Sequence, residues 1–250
     1  MTRLLEDAAV FRLLAMGFRY PDADVRGEVA ATFAELRAAQ PQRLRLASWK
    51  VAFGAAEERW TTTDPELLES EYVRLFLAGG PCPPRETAYG DGRRIAGRAV
   101  ELADISGFYR AFGCRLARDR AQVPDHLSTE LEFASLLMLK EAYAVAEGWD
   151  EERNVTRSAA KDFLETHLGR WVKAFAGALR EHDAPIVYTA LADFTAAAVG
   201  GQCRRFRITP QLAEGRLPRD FMQGESFDCP QAAAADALVE QGESHGRSRG

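Results

Sequence analysis

Long apolar runs are the first thing this chain lacks. No stretch approaches the ~18 apolar residues that would span a bilayer, so no membrane-crossing helix is expected. The opening MTRLLEDAAVFRLLAMGF has charged residues interrupting its apolar positions and does not read as a signal peptide, so a soluble, cytoplasmic protein is expected. Cysteine is scarce. Cys82, Cys114, Cys203 and Cys229 lie far apart, and without a CxxC pair neither a zinc ribbon nor a thioredoxin-type redox site is encoded. Reduced, unpaired thiols are expected, with no role readable for Cys203 or Cys229. A basic excess is also missing. The formal net charge of −5 argues against general affinity for nucleic acid or anionic membrane.

The signatures of several enzyme classes are absent as well. The chain carries no Walker or GxGxxG loop for nucleotides and no GxSxG elbow for a nucleophilic serine. Its four histidines, His126, His167, His182 and His245, show no HExxH or HxxxH spacing for zinc. Alternating strand patterns are not found either.

What is present reads as helix throughout. Hydrophobic residues make up 46% of the 250 and charged ones 28%, ordinary globular values. Leu4, Ala8, Phe11, Ala15 and Phe18 recur at steps of three and four, predicting an amphipathic first helix. Asp22 or Asp24 caps a second that stops near Pro41, and a third runs from about Leu44 to Trp60. Asp64-Pro65 opens a fourth, which ends at Gly79-Gly80. GGPCPPRETAYGDG then reads as a long surface loop. Helical spacing resumes from Gly97 to Phe112, from His126 to Glu147, from Asn154 to Arg180, and after Pro185. The expected fold class is all-α. Its divisions are a helical part over 1–113, a linker over 114–125, a second helical part over 126–200 and an irregular, partly disordered tail over 201–250.

Charge is unevenly spread. Residues 57–71 hold six acids against Arg59, residues 125–152 hold eight against Lys140, and residues 93–120 hold seven arginines. These read either as solvated helix faces or as acidic surface for a basic partner. The stretch VPDHLSTELEF, 123–133, gathers His126 with Asp125, Glu130 and Glu132. His126 and Glu130 share a helix face, so a metal or acid–base site is one reading, and it gives the alternative of a metal-dependent helical hydrolase. The other reading is helix entry, with Pro124 holding an extended approach and Asp125 as N-cap. A dimeric helical transcription regulator would need a basic face that the acidic N-terminal part does not offer.

EYVRLF at 71–76 and PDHLSTELEF at 124–133, separated by a Pro/Gly-rich loop and a helix ending FYRAFG, resemble the TorD/DmsD/NarJ family of molybdoenzyme maturation chaperones over roughly residues 5–200. The resemblance implies a two-lobed helical bundle of the TorD-like type, hinged at the PDH segment, as a monomer or a lobe-swapped dimer. It implies a non-enzymatic assembly chaperone. Such a protein binds the twin-arginine signal peptide, and possibly the apo fold, of the catalytic subunit of a dimethyl sulfoxide reductase-type molybdoenzyme, and supports molybdenum cofactor insertion before export. Glu71, Tyr72, Leu75 and Phe76 match one family motif. Pro124, Asp125 and His126, with Glu130 following, match the hinge motif implicated in peptide binding. A Glu-Pro pair common at that hinge is replaced here by Gln122 and Val123. No cofactor is expected, apart from the weak guanine-nucleotide binding of some members. At i, i+3 and i+4, Tyr72, Leu75 and Phe76 also read as a core stripe.

Overall fold

Helix boundaries follow capping chemistry. The structure, a computed structural model, describes residues 1–77, 79–90, 98–115, 123–213 and 215–216. After α1 (Thr2–Gly17), the Asp22 carboxylate accepts from the Val25 N–H at 2.8 Å and opens α2 (Ala23–Ala39), which closes on Gln40 in the left-handed region. A 3-10 turn, Gln42–Arg45, leads to α3 (Ala47–Thr62). Asp64 accepts from the N–H groups of Glu66 and Leu67, with Pro65 at the first position of α4 (Pro65–Phe76). Then come α5 (Arg98–Ala111), α6 (Leu127–Glu147), α7 (Asp150–Phe163), α8 (Gly169–Glu181) and α9 (Ile186–Phe206). The all-α expectation holds. Its departures among the described residues are an antiparallel pair, Tyr89–Gly90 (β1) with Gly215–Arg216 (β2), and a single bridge between Arg85 and His126. No described helix is long and apolar enough to cross a membrane.

Helix α1 is central rather than amphipathic. Ten of its sixteen residues are buried, and it packs along α6 while also touching α2 and α9. A helix apolar on most sides needs cover on most sides. The described residues up to Arg216 pack as one compact unit, which contains both expected helical parts and the described residues of the linker between them. Within that linker, residues 116–122 lie outside the described set, as do 91–97 and everything after Arg216, including Cys229.

One polar residue of α1 is fixed with particular care. Asp7, 1% exposed, accepts from Arg43 Nε and Nη2 at 3.0 and 3.1 Å and from Gln202 Nε2 at 2.7 Å. The Arg43 guanidinium in turn sits 5.3 Å over the Trp49 ring. A buried carboxylate thus ties α1 to the 3-10 turn and to α9. This is why α9 runs past the expected boundary at 200: Gln202 and Cys203 are buried, and the helix ends at Phe206. Close approach of α9 to α3 requires Gly201, where a Cβ would stand 2.9 Å from the Trp49 ring.

The single helix expected from 154 to 180 is interrupted. A π-turn, Leu164–Leu168, joins α7 to α8 and turns His167 inward. A Cβ on Gly169 would lie 2.3 Å from the Leu164 carbonyl oxygen and 2.8 Å from Pro210, so the wide turn depends on glycine there.

Candidate functional site

The PDH segment is gripped from two sides. Loop residues 84–87 run beside 124–127: the Leu127 N–H donates to the Pro84 carbonyl and the Glu86 N–H to the Asp125 carbonyl, both at 2.9 Å. Thr87 Oγ1 donates to Asp125 Oδ2 at 2.6 Å. From the other side, the Tyr109 hydroxyl of α5 donates to the Pro124 carbonyl at 2.7 Å. The stretch read as a surface loop is therefore largely interior, with Cys82, Glu86, Thr87, Ala88 and Tyr89 all buried. Prolines and glycines there give a path that presses against α6 rather than one that extends into solvent.

Asp125 does not cap α6. His126 does: its Nδ1 accepts from the Ser128 N–H at 3.2 Å, with Ser128 Oγ 2.7 Å away, while Asp125 turns to Thr87. Half-buried His126 is held neutral, its pKa lowered to about 4, because desolvation and the Arg85 charge outweigh the pull of Asp125. With Nδ1 accepting, the ring proton resides on Nε2.

Beneath this segment lies a cluster of buried ionisable groups. Glu130, fully buried, accepts from Trp171 Nε1 at 3.1 Å through Oε2, and its Oε1 has no hydrogen-bond partner. Glu86, 2% exposed, shares a hydrogen bond with His167, its carboxyl oxygens 3.1 and 3.3 Å from Nδ1. Tyr89 stacks on Trp171 with ring centres 5.5 Å apart. Burial pushes Glu130 well above the usual carboxylate range, and the nearby Glu86 charge adds to that. Glu86 is pushed up to about 7, again mainly by burial, with His167 holding it lower. Glu130 therefore retains its proton near neutral pH, and Glu86 titrates there. Sequence spacing supplied Asp125 and Glu130 but missed Glu86, Tyr109, His167 and Trp171, which arrive from four other segments.

The hydrolase alternative gains no support. His126 is engaged in capping and Glu130 reaches into the core toward Trp171, so the two do not form a shared ligand set. Among the described residues no group of three or more His, Cys, Asp or Glu side chains is placed to hold a metal ion.

EYVRLF is divided between surface and core. Glu71, half-buried, pairs with the more exposed Arg74 on α4 at 2.5 Å. Tyr72, Leu75 and Phe76 are buried, the aromatic pair within a cluster with Phe18, Phe175 and Tyr188. The Tyr72 hydroxyl donates to the Phe18 carbonyl at 3.2 Å, and that of Tyr188 to Leu68 at 2.7 Å. The acidic segments are likewise redistributed by folding. Glu57 pairs with Arg37, Glu69 with Arg26, Glu132 with Arg19, and Glu141 with Arg157 and Arg205. Acids crowded in sequence meet arginines from distant segments, so the linear charge blocks do not become equally strong surface patches.

The fold and the site define an all-helical bundle whose loop between α4 and α5 clamps the entry of α6 over buried carboxyl groups. The chain belongs to the nitrate reductase delta subunit family, whose sequence profile matches residues 22–177. The resemblance to molybdoenzyme maturation chaperones read from the two motifs agrees with that membership. The chain is 40% identical over 118 residues to the selenate reductase assembly chaperone protein of Thauera selenatis, covering 47% of this chain and 60% of that one. It is 40% identical over 110 residues to the chlorate reductase assembly chaperone protein of Ideonella dechloratans, covering 44% and 56%. With the perchlorate reductase assembly chaperone protein of Dechloromonas aromatica it shares 27% identity over 193 residues, covering 76% and 84%. The first two matches thus span somewhat over half the length of those relatives.

Proposed function

We propose that this chain is a non-catalytic assembly chaperone, acting in the cytoplasm on the catalytic subunit of a molybdenum oxidoreductase. The observation that carries the reading is its membership of the delta subunit family together with relatives named as assembly chaperones of selenate, chlorate and perchlorate reductases. In this reading the chain binds the N-terminal, twin-arginine region of its client and holds the apo subunit back from export until the molybdenum cofactor is inserted.

Such a peptide has a basic start followed by an apolar stretch, so its receptor needs carboxylates for guanidinium groups and an apolar surface beyond them. Glu71, half-buried and already paired with a guanidinium, exchanges Arg74 for a client arginine. Half-buried Pro124 and His126 give a second contact, where the neutral imidazole offers its Nε2–H to a peptide carbonyl. Tyr72, Leu75, Phe76, Asp125 and Glu130 act from the interior, fixing α4 and the start of α6.

Pull-down of the tagged chain from its native cells should recover a molybdenum oxidoreductase subunit. Calorimetry with that subunit's N-terminal peptide should then give micromolar or tighter binding. Glu71→Lys should weaken it more at low salt than at high. Absence of heat with the peptide, with client cofactor content unaffected by the chain, would overturn the reading.

A further inference from the structure

Helix α6 packs against α1 and α7, and its remaining side ends in an exposed aromatic corner. Leu139 and Tyr143, four residues apart and so on one face, are 45% and 57% exposed. Gly148, left-handed at φ 71°, turns the chain so that the Trp149 N–H donates to the Ala144 carbonyl at 2.9 Å and the indole returns against Tyr143. The two rings stand edge to face with centres 5.4 Å apart, and Trp149 remains 46% exposed. An edge-to-face pair covers one ring face and leaves the others open. Among the described residues no guanidinium stacks on either ring.

The rim of this corner is acidic. Glu147 lies in the last turn of α6, where the helix dipole favours a cation, and that turn carries no base. Asp150, Glu151 and Glu152 follow in the first turn of α7, where the dipole suits them. Arg153 takes Asp150 at 3.1 Å, whereas Glu147, Glu151 and Glu152 are exposed and have no ion-pair partner among the described residues. Lys140, one turn before Tyr143, is the other base of this stretch, and its charge bears on Cys114. An exposed apolar surface with a polar rim is a protein-contact surface, and tryptophan and tyrosine dominate such contacts. The rim decides the partner. A second copy of the chain across a two-fold axis would set acids against acids, and an anionic lipid surface would be repelled as well. A basic segment meets neither cost.

We propose that the surface of Leu139, Tyr143 and Trp149 docks an arginine-bearing amphipathic segment of a partner protein, its apolar side on these three residues and its guanidinium groups over the open ring faces toward Glu147 and Glu151. Arginine suits both parts of the surface, because its planar guanidinium stacks on aromatic rings and pairs with carboxylates. The proposal rests on the chaperone reading only for the source of the segment, the client subunit. The 21 residues of α6, at ~1.5 Å each, place this surface about 30 Å from His126. It therefore meets a part of the client other than the one held at Glu71 and His126.

Trp149 is the exposed tryptophan of the four, Trp49, Trp60 and Trp171 being buried, so acrylamide quenching of the full chain reports on it. A short amphipathic helical peptide of arginine and leucine is titrated beside counterparts in which lysine or glutamate replaces arginine. The arginine peptide should protect Trp149 saturably, the lysine peptide about fivefold more weakly, and the glutamate peptide not at all. Tyr143→Ser and Glu147→Lys, both at exposed positions and checked by an unchanged melting curve, should each weaken the arginine peptide about fivefold. No saturable protection, equal binding of the lysine peptide, protection by the glutamate peptide, or binding unaltered in either variant would overturn the proposal, as would a dimer of the chain that Tyr143→Ser dissociates. Recovery of the client subunit from native cells should also fall about fivefold with Tyr143→Ser. Undiminished recovery would overturn the proposal and leave the chaperone reading standing. If the arginine peptide binds here but the parent chain recovers no molybdenum oxidoreductase subunit, the chaperone reading falls and the docking surface stands.

Discussion

Glu86→Gln removes a buried charge while keeping the shape and an acceptor for His167. The carboxyl is raised from an ordinary 4.5 to about 7 in the folded chain, chiefly by burial, so between those values the native state holds a proton that the unfolded state has released. Stability from this group is therefore greatest at low pH, declines as pH rises through about 4.5 to 7, and levels off above that. Linkage puts the cost of the ionised group at under about 1 kcal/mol at pH 5 and at a few kcal/mol at pH 8. The variant lacks this cost, so its stability relative to the parent should improve by about 2–3 kcal/mol between pH 5 and pH 8. His126 pulls the other way, since its pKa is lowered to about 4 and its contribution rises with pH from there to 6.5. Both chains carry His126, so it cancels in the comparison. Urea denaturation of parent and variant at the two pH values measures the difference directly. An offset between the two chains that does not change with pH would refute the reasoning.

The other expectations concern single contacts. Asp7→Ala strands Arg43 in the interior and should cost ~3–5 kcal/mol in chemical denaturation, the range for breaking a buried ion pair. Phe76→Ala empties the centre of the aromatic cluster and should cost ~3–5 kcal/mol, whereas Tyr72→Phe loses one hydrogen bond and should cost ~1 kcal/mol. His126→Ala removes the cap of α6 and should cost ~1 kcal/mol, whereas His126→Asn, another good cap, should retain most of it in the same denaturation series.

Local chemistry was legible in the sequence and tertiary chemistry was not. Asp22 and Asp64-Pro65 announce helix starts because capping involves residues within a turn of one another. The Tyr72, Leu75 and Phe76 stripe shows its helical period for the same reason. Asp125 illustrates the limit: as a good N-cap residue before a helix it is the natural choice, yet Thr87, 38 residues earlier, claims its carboxylate and leaves capping to His126. Glu86 and His167, 81 residues apart, share no spacing that could pair them. The π-turn that brings His167 inward depends on Gly169 and on the approach of Pro210, neither of which alters the apolar period. The acidic blocks misled in a similar way, because arginines such as Arg19, Arg26 and Arg37 answer them across the fold.

The central claim is that this chain assembles a molybdenum enzyme. It is tested most directly by the molybdenum content of the client's catalytic subunit, purified from native cells with and without the chain. The account predicts a cofactor-deficient subunit in its absence and restoration when the chain is supplied again. A fully loaded subunit in cells that lack the chain would contradict it.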